Sequence, residues 1–157
     1  MNIMTQDRAP ASTGEIAEMT AGTCVATRVR QLSRIVTRVY DDAMRPHGIT
    51  GSQFTLLTQL AARDSITAVE IGQDLDIEKS TLSRNLKRLL ALGLIILDPP
   101  AGRRGRGLHL TPKGEGIIRS AYAVWQEAQR RTLTALGPES RSLLDGLLQQ
   151  AEKLAED

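Results

Sequence analysis

Between residues 79 and 113 the chain gathers side chains suited to holding a polyanion. Lys79, Arg84, Lys87, Arg88, Arg103, Arg104, Arg106 and Lys113 are opposed by one acid, Asp98, a local charge of +7. The remaining residues carry twelve basic and seventeen acidic groups, a balance of −5, so the overall +2 hides a polarised molecule. Ser80, Thr81 and Ser83 are interleaved with the first of these cations. Short hydroxyls can approach base edges and phosphates, and arginine can pair with the guanine edge or the backbone. A solvated helix face is the bland alternative for any one of these residues, but the charge asymmetry favours a nucleic-acid surface.

The flanking sequence says how such a surface would be carried. Thr67-x-x-Glu70 is a capping box, with Ile66 and Ile71 placed as its hydrophobic staple. Ile71 and Leu75 share one face of a short helix, followed by a turn at Asp76-Ile77. A second helix is expected from Glu78 to about Leu92, stopped by Gly93. At the helical period Leu82, Leu86, Leu89 and Leu90 form one stripe, and Ser80, Arg84, Lys87 and Arg88 lie opposite. Leu94 to Leu97 is a short apolar run, read as a strand. Asp98 to Gly107, with two prolines and three glycines, is a loop. Leu108-His109-Leu110 returns as a second strand, and Thr111-Pro112 opens the next helix. The order is helix, turn, helix and an arginine-tipped hairpin: a winged helix-turn-helix with a two-stranded wing.

From Thr67 to Ile95 the chain resembles the DNA-binding core of the MarR-type transcriptional regulators. The arginine-bearing wing and the Leu108-x-Leu110-Thr111-Pro112-x-Gly114 exit fit the same family, and the order of elements extends the likeness over residues 23–154. The resemblance implies a bacterial homodimer that binds pseudo-palindromic operator DNA, often as a repressor, and releases it when a small ligand or an oxidant arrives. A phenolic or other aromatic effector would be in keeping. It also implies a ligand cleft between dimerisation helices and the DNA-binding lobe, for which Arg28, Arg34 and His47 are candidate liners.

The rest of the chain is consistent with one mainly α-helical domain. Residues 1–20, rich in Ala, Thr and Ser, show no periodicity and are expected to be a disordered tail. Residues 21–157 form the domain, with 49–111 as the winged module and 21–48 and 112–157 as dimerisation helices. Val25, Val29, Leu32, Val36, Val39 and Ala43 make a helical stripe that Pro46 and Gly48 end. Thr50-x-x-Gln53 is a further capping box, with Ile49 and Phe54 as staple and Phe54, Leu57, Leu60 and Ala61 as the buried side. A long helix from Pro112 to about Ala135 precedes Gly137-Pro138, and Leu143, Leu144, Leu147, Leu148, Ala151 and Leu154 mark the last helix. These stripes exceed what a small module covers, so packing between subunits is their natural use.

Several function classes are disfavoured. Few aromatic residues argue against RNA binders that stack bases on exposed rings. His47 and His109 sit in no metal spacing, and no cofactor or acid–base constellation suggests an enzyme. Gly102 to Gly107 lacks the Gly-Lys-Ser/Thr ending of a phosphate loop. No apolar run approaches a membrane span, and the one cysteine suits a reducing cytoplasm. A protein-binding winged helix is the main alternative, opposed by the outward cations.

Cys24 invites a redox alternative. Some regulators of the resembling family sense hydroperoxides through a cysteine near the start of the first helix, paired with tyrosines. Tyr40 matches one such tyrosine, but Arg30 stands where a second is expected and Cys24 lies two residues early. Two residues rotate a helical side chain by about 200°. A buried or interfacial thiol is therefore favoured over a switch.

Overall fold

The computed structural model describes residues 12–63, 65–99 and 106–155. The chain divides into two compact units, Met1–Val36 and Thr37–Asp157.

The first unit holds a helix absent from the sequence-based expectation. Helix α1 spans Thr13–Thr23, so residues 13–20 are helical where a disordered tail is expected. Its start is a capping box: the Ser12 hydroxyl accepts from the Glu15 N–H at 3.2 Å, and the Glu15 carboxylate accepts from the Ser12 N–H at 3.0 Å. These bonds satisfy amides that otherwise have no partner in the first turn. The Thr20 and Thr23 hydroxyls turn back onto the Ile16 and Met19 carbonyls. No α1 residue is buried, which explains the weak apolar periodicity. Residues 1–11 lie outside the described residues. Helix α2, Val25–Met44, follows directly, and Val25, Val29, Leu32 and Ile35 in its first part are exposed.

The second unit contains the core. A one-turn 3-10 helix, Arg45–His47, carries Pro46 and ends at Gly48, whose φ of 72° suits a residue without a Cβ. Helix α3, Gly51–Ala61, starts at the Thr50–Gln53 capping box. Its buried residues are Gln53, Phe54, Leu56, Leu57 and Leu60; Ala61 is exposed and Leu56 takes its expected place. Helices α4, Ala68–Asp74, and α5, Lys79–Ala91, make the helix-turn-helix, with Asp76 in the turn at φ 47°. Leu82, Leu86 and Leu89 of α5 join Ile71, Leu57, Leu60, Ile95 and Leu108 in one apolar cluster.

The two-stranded wing is present, and among the described residues a third strand joins its sheet. Strand β1, Ile66–Thr67, and β2, Ile95–Leu97, both pair antiparallel with β3, Gly107–Leu110, in the order β1-β3-β2. Two residues are too few to show an alternating pattern, and their partner is some forty residues away in the chain. Ile66 also reads naturally as the staple of α4, which hid its second role.

Helix α6, Pro112–Leu136, leaves the sheet through a tight corner. Thr111 donates its hydroxyl to the Gly93 carbonyl at 2.8 Å and accepts from the Gly114 N–H at 3.1 Å. A Cβ on Gly114 would overlap the Leu94 carbonyl oxygen and lie 2.9 Å from Leu110 Cδ2. Glycine is needed there because backbone meets backbone. Helix α7, Ser140–Glu152, follows Gly137, and Leu143, Leu144, Leu147 and Leu148 on it are exposed.

Candidate nucleic-acid interface

Helix α5 presents two chemically distinct faces. Its Leu82, Leu86 and Leu89 side chains are buried, while Lys79, Ser80, Thr81, Ser83, Arg84, Lys87 and Arg88 are all exposed. The expected cation row and hydroxyls therefore share one solvent-facing surface. Burying the three leucines anchors the helix at about 1.5–3 kcal/mol per side chain, without restraining the front. Arg84 Nη2 lies 3.4 Å from Ser80 Oγ and 3.3 Å from Thr81 Oγ1, so the guanidinium rests over the first turn. That turn is capped by Glu78, whose Oε2 accepts from the Ser80 and Thr81 N–H groups at 2.8 and 3.0 Å and from the Ser80 hydroxyl. The Ser80 hydroxyl bond is the leading reason the Glu78 carboxyl is held below its ordinary range.

A second tie holds α5 from α3. Buried Gln53 accepts from the Thr50 N–H through Oε1 at 3.2 Å and donates through Nε2 to Asn85 Oδ1 at 3.3 Å. Asn85 in turn donates to the Thr81 carbonyl at 3.2 Å. The sequence marks Gln53 only as a cap and does not single out Asn85, yet both position α5. The signal was the amide at the third position of the Thr50 box: a glutamate there would cap equally well but could not donate.

The wing is fixed at its root. The Asp98 N–H donates to the Gly107 carbonyl at 2.9 Å, and Asp98 Oδ1 lies 2.8 Å from His109 Nε2. Arg106 Nε donates to the Asp98 carbonyl, which turns this expected DNA contact back toward the base of the hairpin. Lys113, expected at a phosphate, donates its ammonium to the Leu92 carbonyl at 2.8 Å and so caps the C-terminal end of α5. Arg103 and Arg104 lie outside the described residues.

A profile of the MarR family matches residues 47–105. The multiple antibiotic resistance protein MarR of Salmonella typhimurium is 34% identical over 86 residues, 54% of this chain and 60% of that protein. The match thus spans about three-fifths of that relative's length. The HTH-type transcriptional regulator PecS of Dickeya dadantii is 28% identical over 127 residues, 78% of this chain and 76% of PecS. The M. tuberculosis transcriptional regulator MosR, solved in complex with DNA, is 29% identical with a TM-score of 0.74, covering 84% of this chain and 98% of that one. The likeness is to the MarR-family regulators, and residues 47–105 carry it. These MarR-family relatives are regulators, not enzymes.

The remaining candidate residues are dispersed. Cys24 stands at the α1–α2 junction rather than inside a helix, half-buried, with a φ of −64° and ψ of 110°. Hydrogen bonds from the Thr27 side chain and backbone hold its thiol below the usual range. Tyr40, the one matching tyrosine, donates its hydroxyl to Gln129. Arg28 and Arg34 are exposed, and His47 is half-buried with Nδ1 3.3 Å from Ser120 Oγ. None of Arg28, Arg34 and His47 lines either described cavity. The larger, about 780 Å³, opens between α4, α5 and strands β2 and β3. The smaller, about 370 Å³, has Arg45 and Arg88 on its walls. Among the described residues no group of three or more His, Cys, Asp and Glu side chains could hold a metal ion, and no helix is long and apolar enough to cross a membrane.

Gln53→Glu separates the two roles of Gln53. The glutamate keeps the Thr50 cap but loses the donor to Asn85 and buries a carboxylate. Urea denaturation should show a loss of about 1–3 kcal/mol. Unchanged stability would mean that the Gln53–Asn85 bond does not hold α5.

Proposed function

We propose that this protein is a cytoplasmic transcriptional regulator that binds pseudo-palindromic operator DNA as a homodimer. It acts as a repressor and is released by a small aromatic acid. The observation that carries the DNA-binding half is α5: a leucine row sunk into the core and, opposite it, Ser80, Arg84, Lys87 and Arg88 exposed together. Such a helix is built to enter a major groove, and its MarR-family relatives include one solved with DNA bound. Arg84 is assigned to base reading. Lys79, Lys87, Arg88 and the wing arginines 103, 104 and 106 are assigned mainly to phosphates, which position the protein without specifying sequence. The interaction of Arg106 with Asp98 makes Arg103 and Arg104 the stronger wing candidates.

The measurement is affinity for operator and scrambled duplexes across a salt series. Arg84→Ala should cost about 1–3 kcal/mol on operator and relax preference at one base position per half-site. Arg104→Ala should weaken both duplexes alike and lower the salt slope by about 0.9 per contact, or about twice that for a dimer. The opposite pattern would exchange reader and clamp, and no effect from either variant would remove the DNA-binding assignment.

Dimerisation rests on apolar rows that the single chain leaves in solvent. Val25, Val29 and Ile35 on α2 are more than half exposed, as are Leu143, Leu147 and Leu148 on α7. Contiguous apolar rows of this kind mark association surfaces. Sedimentation at micromolar concentration should give a dimer for the wild type and a weakened one for Leu147→Glu. A folded wild-type monomer would exclude the obligate dimer.

The effector is assigned to the larger cavity. Val69, Ile77, Leu82, Leu90 and Leu97 supply apolar walls, and Lys79 and Lys87 stand at the lining of the same space. An aromatic carboxylate would bury its ring there and pair with an ammonium otherwise available to phosphate. With 1-naphthoate added, fluorescence anisotropy should show operator release from the wild type and little from Val69→Trp, which fills the cavity. Equal release from both would place the effector elsewhere.

A further inference from the structure

The Glu78 side chain has one carboxylate oxygen in use and one spare, and their positions bear on sequence choice. Oε2 takes all three bonds, from the Ser80 N–H, the Thr81 N–H and the Ser80 hydroxyl. Oε1 makes no hydrogen bond or ion pair with any described residue. The carboxylate is therefore locked in place before any DNA arrives, with an unused acceptor at the exposed leading end of α5. That end supplies base contacts in helix-turn-helix proteins.

Two independent features make a simple capping role an incomplete account. Glutamate is not among the preferred N-caps, a place taken by the shorter Ser, Thr, Asp and Asn. It is also the only acid from residue 78 through the end of α5, among Lys79, Arg84, Lys87 and Arg88. A surface meeting only phosphates loses affinity by carrying a carboxylate there. A surface in which that oxygen faces an amino group does not. The Ser80 hydroxyl further joins Glu78 to Arg84, the proposed reader, through bonds on both sides.

We propose that Glu78 is a specificity-determining residue that reads a cytosine next to the base read by Arg84. This deepens the operator-binding proposal and rests on it. In the major groove cytosine offers its N4 amino donor with no acceptor beside it on the same base, and glutamate is an acceptor only. Guanine N7 and O6 and thymine O4 repel the carboxylate. Adenine sets its acceptor N7 next to its N6 donor, so it is the poorer partner. Glu78 and Arg84 together then favour C and G at neighbouring positions of each half-site.

The test is operator selection from a randomised duplex library by the full-length wild type, Glu78→Ser and Glu78→Gln, each sequenced to a base-preference matrix. Serine retains a good helix cap but cannot reach the base, and glutamine keeps the length while adding a donor that suits adenine. The expected result is a strong cytosine preference at one position per half-site in the wild type, roughly tenfold or more. It should be lost in Glu78→Ser and moved toward adenine in Glu78→Gln, with the other positions unchanged. Circular dichroism on each variant confirms that α5 is intact. Identical matrices for all three proteins, with affinity changed evenly, would overturn the assignment and leave Glu78 as a cap. A wild type that enriches no sequence would overturn this proposal together with the operator-binding one.

Discussion

The burial of Leu82, Leu86 and Leu89 is the interaction on which the surface of this protein depends. These side chains lock one face of α5 against α3, α4 and the sheet, and helical geometry then turns Ser80, Arg84, Lys87 and Arg88 outward. A cationic helix front cannot be held by its own charges, which repel one another. It is held by what lies behind it. The apolar contribution of three leucines exceeds what the exposed hydrogen bonds of Arg84 could supply.

Polar contacts set position where leucines set depth. The starts of α3, α4, α5 and α6 are each fixed by a side chain: Thr50, Thr67, Glu78 and Thr111. Gln53 adds the sideways restraint through Asn85, from a place where it is also a cap. The corner at Thr111–Gly114 packs α6 so closely on the Leu94 backbone that no Cβ fits. The sheet, α5 and the long exit helix α6 thus meet at Thr111 and Gly114.

The apolar rows on α2 and α7 have a different origin. Core residues of the second unit lie mostly at 0–5% exposure, whereas Val25 is 73% exposed and Leu148 63%. Apolar side chains left this exposed keep the cost of hydration that burial removes in the core.

The sequence alone determined the helix-turn-helix, its capping boxes, the outward cation row and the MarR resemblance. Each of these is written locally, as a spacing of three, four or seven residues or as a breaker at a helix end. Residues 12–15 carried the same local writing, and the α1 capping box was legible there, but the Ala- and Thr-rich surroundings without an apolar stripe concealed it. Tertiary structure decided the rest. Strand β1 exists because β3 lies beside Ile66 and Thr67, not because two residues favour extension. Arg106 and Lys113 look like free cations in the sequence, yet carbonyls brought near by the wing root and the end of α5 engage both. A cavity walled by residues from α4, α5 and two strands is likewise assembled from segments far apart in the sequence. Periodicity reports which face of an element is apolar; only the folded chain brings together groups that lie far apart in sequence.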